Sequence, residues 1–297
     1  MAGRRASLTV SAVIELRAGD ANAAIATRGA EALTWHAGGR DLLWVPDAKL
    51  WHEVSPLLFP VVGWTRHGRA RVGGRLYPLD LHGFARHLDY TVVAQGGDFV
   101  RLAIADSALT RALYPFPFAF TAEYRLTARG LGMAMLVENR GPGPMPYACG
   151  LHPGFRWPFA GGTQEDYRIV FEREEKAQVP IFAPGGLFAR ETRAVPLQGR
   201  VLPLSPGLFA GDALCFLDAA STSLRFECPT AAITMTTENL PHIALWMRPG
   251  GQYLCLEPWT GHSDPEGYAG DLFAKPSMRL LAPGASARHG ARFEVEG

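Results

Sequence analysis

Apolar residues along this chain recur mostly at every second position, in short runs, and hardly at all with the helical period of three to four. The first third reads as short strands at residues 12–17, 23–27, 33–36 and 42–44. Turns such as Ala37-Gly38-Gly39-Arg40 separate them, where glycine supplies the positive φ that tight hairpins need. Residues 99–105 alternate in part. Residues 118–127 and 131–138 flank the turn Ala128-Arg129-Gly130 and predict a hairpin, with Leu131, Met133, Met135 and Val137 on one face. Further strands are expected at 167–172, 213–217, 223–227, 232–236, 242–247, 253–257 and 291–295. The helical pattern allows one turn at most, within 267–273. With 33 Gly and 23 Pro to punctuate it, the pattern predicts an all-β, mainly antiparallel fold with little helix.

Large β-sandwiches reach about 200–250 residues as one unit, so the 297 residues are expected to form a single domain, 1–297. The balance of 29 basic and 28 acidic residues, net +1, gives no electrostatic footprint for nucleic acid or an anionic membrane surface. Cys149, Cys215, Cys228 and Cys255 show no zinc-type spacing and read as reduced thiols. Arg4 and Arg5 precede an apolar stretch from Leu8 that Glu15 and Arg17 soon interrupt, which is not the pattern of a leader peptide. No run approaches the roughly 20 apolar residues of a membrane span. A cytoplasmic protein is expected, with a monomer or homodimer both compatible. There is no phosphate-binding glycine loop, nucleophile elbow, metalloprotease helix or fixed-period repeat.

Among nine histidines, His36, His52, His67, His262 and His289 lie in turn-like or polar surroundings and are expected to have no special role. His82 is followed directly by Gly83, which lets a ligand or backbone approach, and Arg86 can reach the same space. Its five-residue separation from His87 suits no metal pair. His152 ends the apolar run Pro146-Tyr147-Ala148-Cys149-Gly150-Leu151, and Pro153-Gly154 should stop the strand there. Glu257 has the same construction: the single charge after Leu254-Cys255-Leu256, fixed by Pro258. A charge in so apolar a run needs a partner. Trp259 offers an apolar face for a sugar's C–H bonds and an indole N–H donor. His152 and Glu257 are therefore expected to meet and act as an acid–base pair, against the simpler reading of a capped strand and a structural ion pair.

Together these segments resemble the aldose 1-epimerase (galactose mutarotase) family, in particular its shorter, divergent bacterial branch. The resemblance rests on Ser55-Pro56-Leu57-Leu58-Phe59-Pro60-Val61-Val62-Gly63, Leu81-His82-Gly83-Phe84-Ala85-Arg86, Met145-Pro146-Tyr147 through His152-Pro153-Gly154-Phe155, Gly211-Asp212-Ala213-Leu214, and Leu256-Glu257-Pro258-Trp259 with Gly270-Asp271-Leu272. It implies a β-supersandwich with a sugar cleft. By the same resemblance His152 is the general acid and Glu257 the general base, His82 contacts the sugar near its ring oxygen, and Asp212 hydrogen-bonds sugar hydroxyls. Arg86 and Trp259 complete the expected substrate contacts. The implied reaction is anomer interconversion, which needs no metal or redox cofactor. One position departs from the family: Trp64 stands where an Arg is usual after the glycine, with Arg66 or Arg86 as the nearest replacements. A free hexose is therefore the first expectation for the substrate, with a hexose 6-phosphate mutarotase or a non-catalytic sugar-binding protein as alternatives.

Overall fold

The structure, a computed structural model, describes residues 11–297. Residues 1–10, and with them Arg4, Arg5 and Leu8 of the leader argument, lie outside the described residues. Two antiparallel sheets dominate. The larger has nine strands in the order Val201–Pro203, Arg168–Phe171, Ser223–Cys228, Ala231–Glu238, Ser286–Glu296, Gly130–Asn139, Phe118–Leu126, Phe99–Ala105, Thr91–Gln95. The expected hairpin is its centre: Leu126 pairs with Leu131, Tyr124 with Met133, Ala122 with Met135 and Phe120 with Val137. The two-residue period puts all eight of these residues on one face, and all are buried.

The second sheet carries six strands: Leu214–Phe216, His242–Trp246, Tyr253–Trp259, Gly150–Leu151 and Leu57–Leu58 in order, with Gly154–Arg156 also paired to Tyr253–Trp259. Tyr253–Trp259 is buried at every position, as a central strand covered on both faces must be. The sheets meet through aromatic side chains. Phe155 of the smaller sheet lies 5.1 Å from Phe293 of the larger, and Phe59, beside Leu58, lies 4.7 Å from Phe120, measured between ring centres. A four-stranded meander, Val13–Ala18 to Arg40–Asp41, and three two-stranded ribbons complete the β structure. The expected all-β, mainly antiparallel sandwich is the fold found.

Several local expectations need correction. Residues 108–113 form an α-helix, Ala108–Leu113, where none was expected. Ser107 caps it by accepting a hydrogen bond from Thr110 N, and only Thr110 is buried, so no apolar stripe announces it. The turn expected within 267–273 is a short 3₁₀ segment at Leu272–Ala274. Pro258 does not end its strand: it pairs with Ile243, and the strand runs on to Trp259. Nor does the run before His152 form one strand. Met145–Tyr147 pairs with Arg279–Leu281, and the chain then crosses to the six-stranded sheet at Gly150. His289 is 1% exposed, inside the long last strand, where its ring meets the Tyr147 hydroxyl at 2.8 Å. Among the described residues no helix is long and apolar enough to cross a membrane.

Candidate active site

The register of one strand pair builds the centre of the site. Gly150 lies opposite Trp259 and Gly154 opposite Cys255, which places residue 152 opposite residue 257. The Pro153 carbonyl accepts a hydrogen bond from Leu256 N between those two anchors. Directly opposed side chains of an antiparallel pair share a face and touch. The His152 and Glu257 side chains do so, with Nε2 and Oε2 3.2 Å apart and both residues buried. On the other flank Glu257 faces Ala244, too small to compete for the same space.

Aromatic rings box in His152. Trp51 lies 5.1 Å from the imidazole, tilted, and Trp246 5.6 Å away, edge-on; Trp51 in turn stacks on Trp44 and Tyr253. Removal from water penalises whichever form is charged. Burial accordingly pushes His152 down to about 3, with the nearby Arg86 acting in the same direction. Burial raises Glu257 well above the ordinary carboxylate range, reinforced by the charge of Asp212. The Trp259 indole N–H counts against that rise, approaching Glu257 without completing an aligned hydrogen bond. The surroundings thus favour the neutral forms of both residues.

Both side chains open on a cavity of about 330 Å³, a sensible size for a small ligand. His82, Arg86, Asp212 and Trp259 line the same cavity, so all six residues singled out in the sequence converge on it. His82 sits at φ 61° with Gly83 at φ 69° behind it. Its Nδ1 accepts the Gly63 N–H at 3.1 Å, and burial holds the ring neutral, which leaves Nε2–H as its donor. Its ring stands edge-on to that of His152, 5.5 Å away. Arg86 is not free to act as a bare cation: it pairs with Glu53 at 3.1 Å and also donates to the Leu81 carbonyl. Asp212, at φ 80°, accepts from Ala213 N through Oδ1, and Arg193 donates to its carbonyl.

Sequence reasoning missed part of the lining. Trp51, Trp246 and Arg248 were not singled out and His52 was set aside, yet all four border the cavity. Phe182 and Phe188 reach it from the ribbon formed by Gln178–Ala183 and Leu187–Ala194. Trp64 also lines it, stacked so closely over Gly186 that a Cβ there would lie 1.9 Å from the indole. Arg66, offered as a replacement for the missing arginine, does not line this cavity. Among the described residues, His152, Cys255 and Glu257 are a group that could hold a metal ion, their donor atoms all within 4.8 Å. Burial pushes the Cys255 thiol well above its usual range.

The two-sheet antiparallel sandwich is the fold of galactose mutarotase-like proteins. The chain matches the aldose 1-epimerase family over residues 12–183, more than half its length, and belongs to that family. Among solved structures it is similar to a galactose mutarotase-like protein from Lactobacillus casei, with 26% identity, TM-score 0.89, and coverage of 96% of this chain and 100% of that one. It is likewise similar to a galactose mutarotase related enzyme from Lactobacillus acidophilus, with 25% identity, TM-score 0.87, and coverage of 96% and 98%. No curated protein matches the chain at a significant level.

Proposed function

We propose that this protein is an aldose 1-epimerase that interconverts the α and β anomers of a free hexose by general acid–base ring opening and closure. The observation that carries this reading is the buried His152–Glu257 contact of 3.2 Å on the wall of a cavity of about 330 Å³. Opening a hexopyranose requires one proton to leave O1 while another reaches the ring oxygen. Both oxygens are bonded to C1, so two side chains 3.2 Å apart can each address one of them. The C1–O5 bond breaks, C1 rotates, and closure on the other face returns the protons by the same two groups.

The pair needs one proton in total. With Glu257 holding it, Glu257 protonates the ring oxygen and neutral His152 takes the O1 proton; with the proton on His152 the roles exchange. The net reaction is the same either way. His82 Nε2–H supplies a donor for a sugar oxygen, Asp212 an acceptor for hydroxyls, and Trp259 a stacking surface. Positioned acid–base groups contribute about 10²–10⁴-fold each.

A free sugar is favoured over a phosphorylated one by the charge of the cleft. Of the two arginines lining it, Arg86 is paired with Glu53, and Asp212 adds a further carboxylate. No net positive charge remains to attract a dianion. We also read the chain as one domain, since a continuous core runs from Leu16 to Val295, and as cytoplasmic, which four free cysteines fit.

Polarimetry or NMR of freshly dissolved α-D-glucose and α-D-galactose tests the proposal. The protein should accelerate equilibration, and His152→Ala and Glu257→Gln should each lower kcat/KM by about 10²-fold or more. Binding of a sugar with no acceleration by the unmodified protein would replace catalysis with sugar binding alone.

A further inference from the structure

A second cavity, of about 300 Å³, lies between the ribbon Arg69–Val72/Arg75–Pro78 and residues 264–275. It is lined by Arg66, Arg69, Arg71 and Lys275, with Asp264 as the carboxylate among them. We propose that this cavity binds the phosphate group of a small molecule, at a site separate from the catalytic cleft.

Lys275 is the first reason. Its side chain is 2% exposed, and its Nζ lies 2.9 Å from Asp264 Oδ1 without an aligned hydrogen bond. A buried ammonium with three donors and one imperfect acceptor gains from a further anionic oxygen. Asp264 cannot turn wholly to the lysine, because its Oδ2 accepts from Arg66 N at 2.7 Å. The three arginines are the second reason. Arg66 makes only long contacts, 3.4 Å, to the Gly267 and Tyr268 carbonyls, and Arg71 donates to the Gly74 carbonyl at 3.2 Å. Among the described residues, the ion pair reaching this cavity is Lys275–Asp264. Nearby Asp271 has its oxygens on Gly73 N and Phe273 N. Four cations thus face one carboxylate, and guanidinium forks match the planar oxygen pairs of a phosphate.

The two cavities share a wall. Asp264 N donates to the Trp64 carbonyl and Ser263 Oγ accepts from Trp64 N, while Trp64 and Ser263 border the catalytic cleft. An anion that draws Lys275 from Asp264 acts on that wall directly.

Titration calorimetry with inorganic phosphate at low, constant ionic strength tests the site in the full chain. Saturable one-to-one binding is expected, weakened at least tenfold in the double variant Arg69→Ala/Arg71→Ala. These two residues lie on the rim, so the variant should fold normally, as a circular dichroism melt would show. Arg248→Ala, which removes a cation of the catalytic cleft, should bind phosphate as the unmodified protein does. Absence of saturable binding, unchanged affinity in the double variant, or lost affinity in Arg248→Ala would each overturn the proposal, the last by placing the anion in the catalytic cleft.

Discussion

At the scale of single residues, the proton inventory of the His152–Glu257 pair decides the behaviour. Burial holds His152 down to about 3 and Glu257 well above its usual range. The one-proton state therefore persists below pH 6.5, where an ordinary histidine would already be charging. The profile of kcat/KM against pH should show no acid limb near 6.5 and stay flat down to about pH 5. Activity should fall on the alkaline side, as Glu257 loses its proton at a pH above the ordinary carboxylate range. A limb at 6.5 in the native protein would contradict a desolvated His152. Trp51→Leu opens one wall of the aromatic box and should bring an acid limb toward 6.5, a shift that a purely structural role for Trp51 would not produce. His152 and Glu257 were legible in the sequence because each is a lone titratable group at the end of an apolar run beside proline. Their protonation was not, because it depends on Trp51 and Trp246, which are remote in sequence.

At the scale of elements, glycines fix how the strands approach the cleft. Gly83 has φ 69°, and a Cβ on it would lie 2.3 Å from the Phe59 carbonyl oxygen, whose acceptor role for Phe84 N and Ala85 N ties the His82 segment down. Gly83→Ala combines that clash with a left-handed backbone and should cost at least about 2 kcal/mol, measurable as a lower denaturation midpoint in urea. Gly150→Ala acts on the site itself: its Cβ would meet Trp259 Cδ1 at 2.5 Å. Displacing that indole should raise KM several-fold, because Trp259 is the stacking surface of the proposed mechanism, and should move the alkaline limb of the pH profile upward, because its N–H leaves Glu257. The strong strands were read within a few residues from alternation alone. Two of those missed lack it. Thr91–Gln95 is an exposed edge, and Leu187–Ala194 carries Arg190-Glu191-Thr192-Arg193 facing solvent.

At the scale of the whole molecule, buried histidines make stability depend on pH. His242 is buried, its Nδ1 accepts the Asp218 N–H at 3.0 Å, and burial together with His262 lowers it to about 4. Its folded value lies below the unfolded 6.5, so the folded state binds fewer protons. Its contribution is complete above pH 6.5 and disappears as pH falls through 4, with a ceiling of about 3 kcal/mol. Urea denaturation at pH 7 and pH 4 should show this loss, and His242→Asn, which cannot titrate, should lose correspondingly less. An identical pH dependence in the two proteins would exclude His242 as the source.

The sequence by itself pointed to the all-β class, the central hairpin, and six of the residues that line one cleft. Two-residue periodicity and proline or glycine corners are local signals, written in consecutive residues. The tertiary structure alone decided that residue 152 stands opposite residue 257, because register depends on two strands that know nothing of each other until they pair. It decided that Arg86 is answered by Glu53, that Arg66 belongs to a second cavity, and that Phe182 and Phe188 come to the cleft on a distant ribbon. Burial, charge balance and proton affinity are sums over neighbours in space, and the order of the chain does not contain them.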